Sequence, residues 1–254
     1  VSNYDRDALV KKLAVFAPWS GVDVARSVLK PFPKAEGTRL YLVDKPDAAQ
    51  SEIRIVKRSL NYDATGEFYR ANLMNFVLGG AFNSRINLNL REDKGYSYGA
   101  WSGFNGEQDY GVYAASAGVR TDSTQDSIVQ IEKEIRNYAE NGIRERELSF
   151  TKNAIGQRDA LRYETPGSKL GLLDNILRYD LPLNYRTQQN NILKETDRET
   201  LNTLASELID PDNMAIVVVG DIPAIRPELE TLGIPIKVLN EDGLEITDPH
   251  QESP

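Results

Sequence analysis

The sequence predicts an α+β fold: a mostly antiparallel (mixed) sheet with helices packed on one face. Three observations carry that reading. Short strand-like runs fill residues 38–60, and a hairpin pattern fills residues 96–119. Apolar residues at helical spacing dominate from residue 121 onward. Apolar strand-like runs then return near the end, at Met214 to Val219 and Ile234 to Leu239. Strands and helices grouped this way, rather than in strict alternation, segregate the helices to one side of a sheet.

The elements follow in order. Residues 1–37 read as a lead-in and linker. Asp5 to Phe16 has Leu9, Leu13 and Phe16 on one helical face, and Pro18, Gly21, Pro31 and Pro33 then break regular structure. Residues 38–240 read as a single α+β domain, and residues 241–254 as a disordered tail. Leu40 to Val43 is a first strand, and Glu52 to Leu60 alternates as a half-buried second one. Gly66 to Leu78 shifts to helical spacing, and Gly79-Gly80 reads as a left-handed stop. Tyr96 to Phe104 and Tyr110 to Val119 form a hairpin around Asn105-Gly106. The run Ala114 to Gly118 has small side chains, which permit close packing on that face. Asp122 and Gln125 resemble a helix cap before Ile128, Ile131, Ile135 and Tyr138, and Asn141-Gly142 stops that helix. A second helix runs from about Glu145 to Tyr163; Pro166 breaks it, and Leu170, Leu173, Ile176 and Leu177 continue the pattern after. Thr196 with Glu199 reads as a capping box for Leu201, Leu204 and Leu208. Met214 to Val219, apolar throughout, reads as a fully buried strand.

Composition excludes several functions. The 254 residues carry 30 Lys plus Arg against 38 Asp plus Glu, a net charge of −8. That balance argues against a general nucleic-acid binder, which needs a basic face. No apolar run is long enough to span a membrane. Without Cys there is no thiol catalysis and no thiolate metal site. The single histidine, His250, cannot by itself build a zinc centre of the usual His-rich kind.

Gly95-Tyr96-Ser97-Tyr98-Gly99 matches the serine-hydrolase pattern G-x-S-x-G in letters only. A nucleophile elbow needs a buried strand before the serine and a helix after it. Here Arg91-Glu92-Asp93-Lys94 precedes and a strand-like run follows. The acidic Glu145, Glu147 and Asp159 read as solvated helical faces. The informative stretch is Gly79 to Gly99, which combines a glycine pair, two arginines and two tyrosines. It reads as a short helix leading into a strand edge. Arg91 offers a planar fork of donors for carbonyl or carboxylate oxygens, and Tyr98 offers a phenolic donor. A surface Arg–Glu pair with tyrosines packed on the sheet explains the same residues without function.

The block Leu78-Gly-Gly-Ala-Phe-Asn-Ser-Arg85, followed by Asn89-Leu-Arg-Glu-Asp-Lys-Gly-Tyr-Ser-Tyr-Gly99, resembles the second-domain signature of the pitrilysin/insulinase metallopeptidases. Val43 to Glu52, Val119 to Thr124 and Ala215 to Asp221 extend the resemblance over about residues 38–222. The resemblance implies an α+β unit that works as one of a pair closing around an unfolded peptide. In the family one domain carries zinc on His-x-x-Glu-His, and a facing metal-free domain supplies an Arg and a Tyr that grip substrate. No His-x-x-Glu-His occurs here, so the metal-free domain is the match. Carried over by position, Arg91 is the family Arg and Tyr98 the family Tyr, with Tyr96 second. The implied function is the substrate-binding part of a zinc endopeptidase, inactive alone, with no catalytic residue or metal ligand of its own. Zinc is expected on a partner domain or subunit. Peptides would be the substrates, added along a sheet edge by main-chain hydrogen bonds. The alternative is an inert scaffold or peptide-binding module of the same fold. The compartment would be periplasmic for an exported bacterial protease and cytoplasmic otherwise.

Overall fold

The structure, a computed structural model, describes residues 3–19, 21, 36–161 and 164–247, with backbone only for 158–161. The strands are β1 (Arg39–Asp44), β2 (Gln50–Ser59), β3 (Ser97–Gly106), β4 (Gly111–Arg120), β5 (Ala215–Gly220) and β6 (Ile236–Leu239). The helices are α1 (Arg6–Leu13), α2 (Glu67–Asn75), α3 (Arg85–Asn87), α4 (Thr124–Asn141), α5 (Glu145–Leu161), α6 (Pro166–Arg178), α7 (Tyr185–Glu195), α8 (Arg198–Leu208) and α9 (Ile222–Glu230). No helix among the described residues is long and apolar enough to cross a membrane.

The chain divides into two compact units, one of Val1–Pro33 with Gln157–Leu183 and one of Lys34–Gly156 with Asn184–Pro254. Residues 157–183, grouped by the sequence with the single 38–240 domain, thus go with the N-terminal segment. In the smaller unit, Asp5 caps α1 by accepting from the N–H groups of Asp7 and Ala8, at 2.8 and 3.2 Å. Thr165 caps α6 in the same way, with Pro166 in the first turn where its missing N–H costs nothing. The linker prolines Pro31 and Pro33 lie outside the described residues.

The larger unit holds a six-stranded mixed sheet in the order β3-β4-β2-β5-β1-β6. β1 runs parallel to β5 and β6, and the other pairings are antiparallel. The α+β expectation agrees with this sheet. One face is dry: Leu40, Leu42, Ile53, Ile55, Ile216 and Val218 are completely buried. Helix α4 brings Ile128, Ile131, Ile135 and Tyr138 to the core, and α2 brings Leu73 and Met74. The other face stays partly open at Tyr41, Arg54 and Val217. β5 therefore buries every second residue only, not the whole apolar run the sequence suggested.

Two helices escape the periodicity argument. α7 buries Tyr185, Gln189 and Leu193 at intervals of four, and the middle position is a glutamine. Its buried amide donates to the Ala64 carbonyl. A polar residue at a core position hides the apolar period. α9, for which the sequence reading gave no helix, contains Pro223 and Pro227 and buries Ile222, Ile225 and Leu229. Caps also shift. Asp197, not Thr196, caps α8 by accepting from Thr200 N–H at 2.8 Å. Asp122 does not cap α4; it holds Arg120 and Ser123 instead. The segment after Asn240 is not a free tail throughout: the Asn240 amide oxygen accepts from Leu244 N–H, and Ile246 N–H donates to Val238.

Glycines in the signature serve close approach. α2 continues as a π-helical turn, Phe76–Gly80, and Gly79 has no left-handed φ. A Cβ on Gly79 would lie 2.3 Å from the Ser102 nitrogen and 2.1 Å from its Oγ. The chain here lies directly on edge strand β3. Asn75 and Asn87 complete the seal: Asn75 Nδ2 donates to Ser102 O at 2.7 Å, and Ala100 N–H donates to Asn87 Oδ1 at 2.9 Å. Peptide addition along that stretch of edge is closed. Asn105-Gly106 likewise ends β3 rather than forming the turn, which is Glu107 to Tyr110. A Cβ on Gly106 would sit 2.6 Å from Tyr62 N.

Arg85 is structural. It forms a two-point ion pair with Glu147 at 2.9 and 2.6 Å, donates to Gly142 O, and lies over the Tyr138 ring. Glu147, expected to be solvated, is largely buried. Burial alone would raise its pKa, but Arg85 and the Arg144 N–H hold it below the ordinary carboxylate value.

This packing generates three predictions. Gly79→Ala should destabilise the fold by about 1–3 kcal/mol, read as a lower urea midpoint, because the new methyl meets main-chain atoms that cannot yield. Arg85→Ala should cost about 3 kcal/mol or more by leaving Glu147 unpaired. Because the folded Glu147 pKa is depressed, its stabilisation is present above about pH 4.5 and lost as pH falls through the folded value. The gap in urea midpoint between the natural chain and Glu147→Gln should shrink accordingly in acid.

Candidate functional site

A cavity of about 820 Å³ lies where the β1–β2 turn, the end of the α3 segment and the start of β3 meet. Lys45, Gln50, Arg91, Tyr96, Tyr98 and Arg120 line it. The three site residues expected from sequence therefore share one cavity. Lys45 and Arg120 were not anticipated, because neither belongs to the signature block and only the fold brings them there.

Local bonding explains the placement. α3 continues as a π-helical turn over Leu88–Asp93, which carries Arg91. Lys94 N–H donates to Asn89 O, and Gly95 at φ 65° reverses the chain. Tyr96 N–H then returns to Leu90 O at 2.9 Å. The loop is thus closed onto its own helix before β3 begins. From β4, Arg120 N–H reaches Tyr96 O at 3.3 Å, and its guanidinium donates to Gly95 O and Ser123 Oγ.

The two tyrosines differ. The Tyr96 hydroxyl donates to Asp126 Oδ2 at 2.8 Å, and that carboxylate also meets Lys94 at 3.3 Å. The bond to Asp126 raises the Tyr96 pKa. Asp126 is held low, first by Gln130 and then by Tyr96 and Lys94. Tyr96 is thereby tied to α4 as a post. Tyr98 is 92% exposed, and its hydroxyl has no partner among the described residues. Arg91 lies over the Phe82 ring at 4.5 Å, and its Nε meets Glu92 at 3.2 Å. Its two terminal amino groups make no hydrogen bond among the described residues. The site thus offers a guanidinium stacked on Phe82 and paired through Nε with Glu92, and a phenol with no acceptor among the described residues.

Other chemistry finds no support. Ser97 Oγ is bound into its own turn, donating to Gly99 O and accepting from Gly99 N–H. It stands at a strand start, not at an elbow, and His250 lies outside the described residues. Among the described residues, no group of three or more His, Cys, Asp or Glu could hold a metal ion. With one His and no Cys in the whole sequence, the chain's donors do not fit a zinc site of the family type.

Comparison with known proteins gives a consistent picture. The family model for the peptidase M16 inactive domain matches residues 1–155. A Helicobacter pylori protein named "Non-peptidase homolog YmxG" is 26% identical over 161 residues, 63% of this chain and 37% of that protein. A Bacillus subtilis protein named "Uncharacterized zinc protease YmxG" is 24% identical over 197 residues, 76% of this chain and 47% of that protein. A crystal structure of a peptidase M16 inactive domain from Pseudomonas fluorescens aligns with a TM-score of 0.73 at 22% identity, covering 87% of this chain and 52% of that one. The chain spans about half or less of these relatives' lengths. The match over more than half of its residues agrees with the signature around Arg91 and Tyr98: the chain belongs to the peptidase M16 inactive-domain family.

Proposed function

We propose that this chain is the substrate-gripping, metal-free part of a zinc endopeptidase, with the metal on a separate domain or subunit. The observation that carries the reading is the pairing of two unengaged donors, the Arg91 terminal amino groups and the Tyr98 hydroxyl, in one cavity without metal ligands. Arg91 holds a main-chain carbonyl of an unfolded peptide. Tyr98 donates to the scissile carbonyl oxygen as charge develops there. Tyr96 positions Tyr98 by fixing the loop to Asp126. With β3 sealed from Ala100 to Ser102, the peptide is gripped at the start of β3 and by side chains, not along the strand's length.

A second reading, a catalytically inert scaffold, is favoured by one observation: the Helicobacter pylori relative is named a non-peptidase homologue. A scaffold has no need of an unoccupied donor pair.

The test is reconstitution with a separately produced peptidase M16 domain that bears His-x-x-Glu-His. The chain alone should not cleave an unfolded peptide, and the mixture should. Arg91→Ala and Tyr98→Phe should each lower kcat/KM about 100-fold, the size of a lost transition-state donor, with urea midpoints unchanged. Full activity in both variants would remove the clamp. Tyr96→Phe should lose some stability as well as activity, because it unties the loop from Asp126.

A further inference from the structure

The cavity contains a cation that the proposed clamp does not use. Lys45 is exposed at the end of β1, and its ammonium has no hydrogen bond or ion pair among the described residues. Its base is fixed: Lys45 N–H donates to Gly220 O at 2.8 Å, and Ala48 N–H closes the following turn onto Lys45 O. The cavity lining holds three cations, Lys45, Arg91 and Arg120, and no carboxylate. That inverts the balance of a chain with 38 acidic and 30 basic residues. Glu92 pairs with Arg91 and Asp122 with Arg120, both carboxylates being exposed, and Asp47 lies in the same turn as Lys45 without lining the cavity. The net field of the chain favours cations at long range, but the cavity itself offers an anion only donors.

We propose that Lys45 forms a carboxylate-binding subsite beside the clamp, which takes an Asp or Glu side chain, or the C-terminal carboxylate, of the bound peptide. The assignment rests on the reading of the cavity as a peptide clamp. Lys45 acts as a point charge on a flexible stem, suited to a carboxylate of variable position. Arg120, fixed by Gly95 and Ser123, adds to the positive potential without moving. Selectivity at this subsite is for charge and not for shape.

The experiment is a titration of the isotope-labelled chain, followed by NMR, with unfolded peptides that differ only in one Glu or Gln. Each is made as the free acid and as the C-terminal amide. The expected result is about three- to tenfold tighter binding of the Glu peptide, a gain lost in Lys45→Gln and in about 0.5 M salt. A preference for the free acid over the amide that Lys45→Gln abolishes assigns the subsite to the chain end instead of the side chain. If all four peptides shift Arg91 and Tyr98 signals with equal affinity, the subsite is overturned and the clamp stands. If no peptide shifts either signal, the clamp fails, and the subsite with it.

Discussion

Everything at the site depends on main chain lying against main chain where Gly79 meets Ser102. Gly106 and Gly111 likewise come close to the backbone of Tyr62 and Leu60, but the Gly79 contact is the one inside the signature block. Here only a hydrogen separates two backbones, and the Asn75 and Asn87 amides supply the bonds that a neighbouring strand would otherwise make. This contact fixes the α2–α3 connection on the sheet margin. Arg85 then pins the next segment to α5 through Glu147 and to α4 through the Tyr138 ring. Arg91 arrives beside the start of β3 because the residues before it have no freedom left.

The signature block thus divides by role. Its first half, through Arg85, is architecture, and its second half, from Arg91, faces the cavity. The two arginines share one chemistry and have opposite fates. Arg85 spends its donors on Glu147 and Gly142, whereas Arg91 keeps most of its own. The two tyrosines separate similarly, one bound to Asp126 and the other exposed, without a partner among the described residues. Rigidity and availability are placed two residues apart.

Much of this was legible in the sequence, and the failures have physical causes. Alternation at Ile53 and Ile55 and the helical period of Ile128, Ile131 and Ile135 read correctly, because one-sided burial writes itself into apolar spacing. Gln189 hid α7 by interrupting that spacing at a core position, whereas α9 keeps the spacing at Ile222, Ile225 and Leu229 and carries two prolines within it. Gly79 and Gly106 were read as conformational punctuation, yet each is small because another backbone occupies its Cβ space. Sequence alone does not tell those two uses of glycine apart. That Arg91, Tyr96 and Tyr98 would lie close together was legible from the motif, since the spacing along one loop is local. Lys45 and Arg120 were not, since 46 positions of chain separate Lys45 from Arg91 and only the sheet order unites them.

The covered margin of β3 has a consequence for how copies of this protein meet one another. An open, flat strand border is a template on which a second sheet can grow, and chains that leave one bare risk fibrous association. By spending two asparagine amides and a glycine there, this chain withdraws the template along Ala100 to Ser102. Along that stretch, contacts between molecules are left to side chains, which discriminate, and not to ladders of peptide groups, which do not.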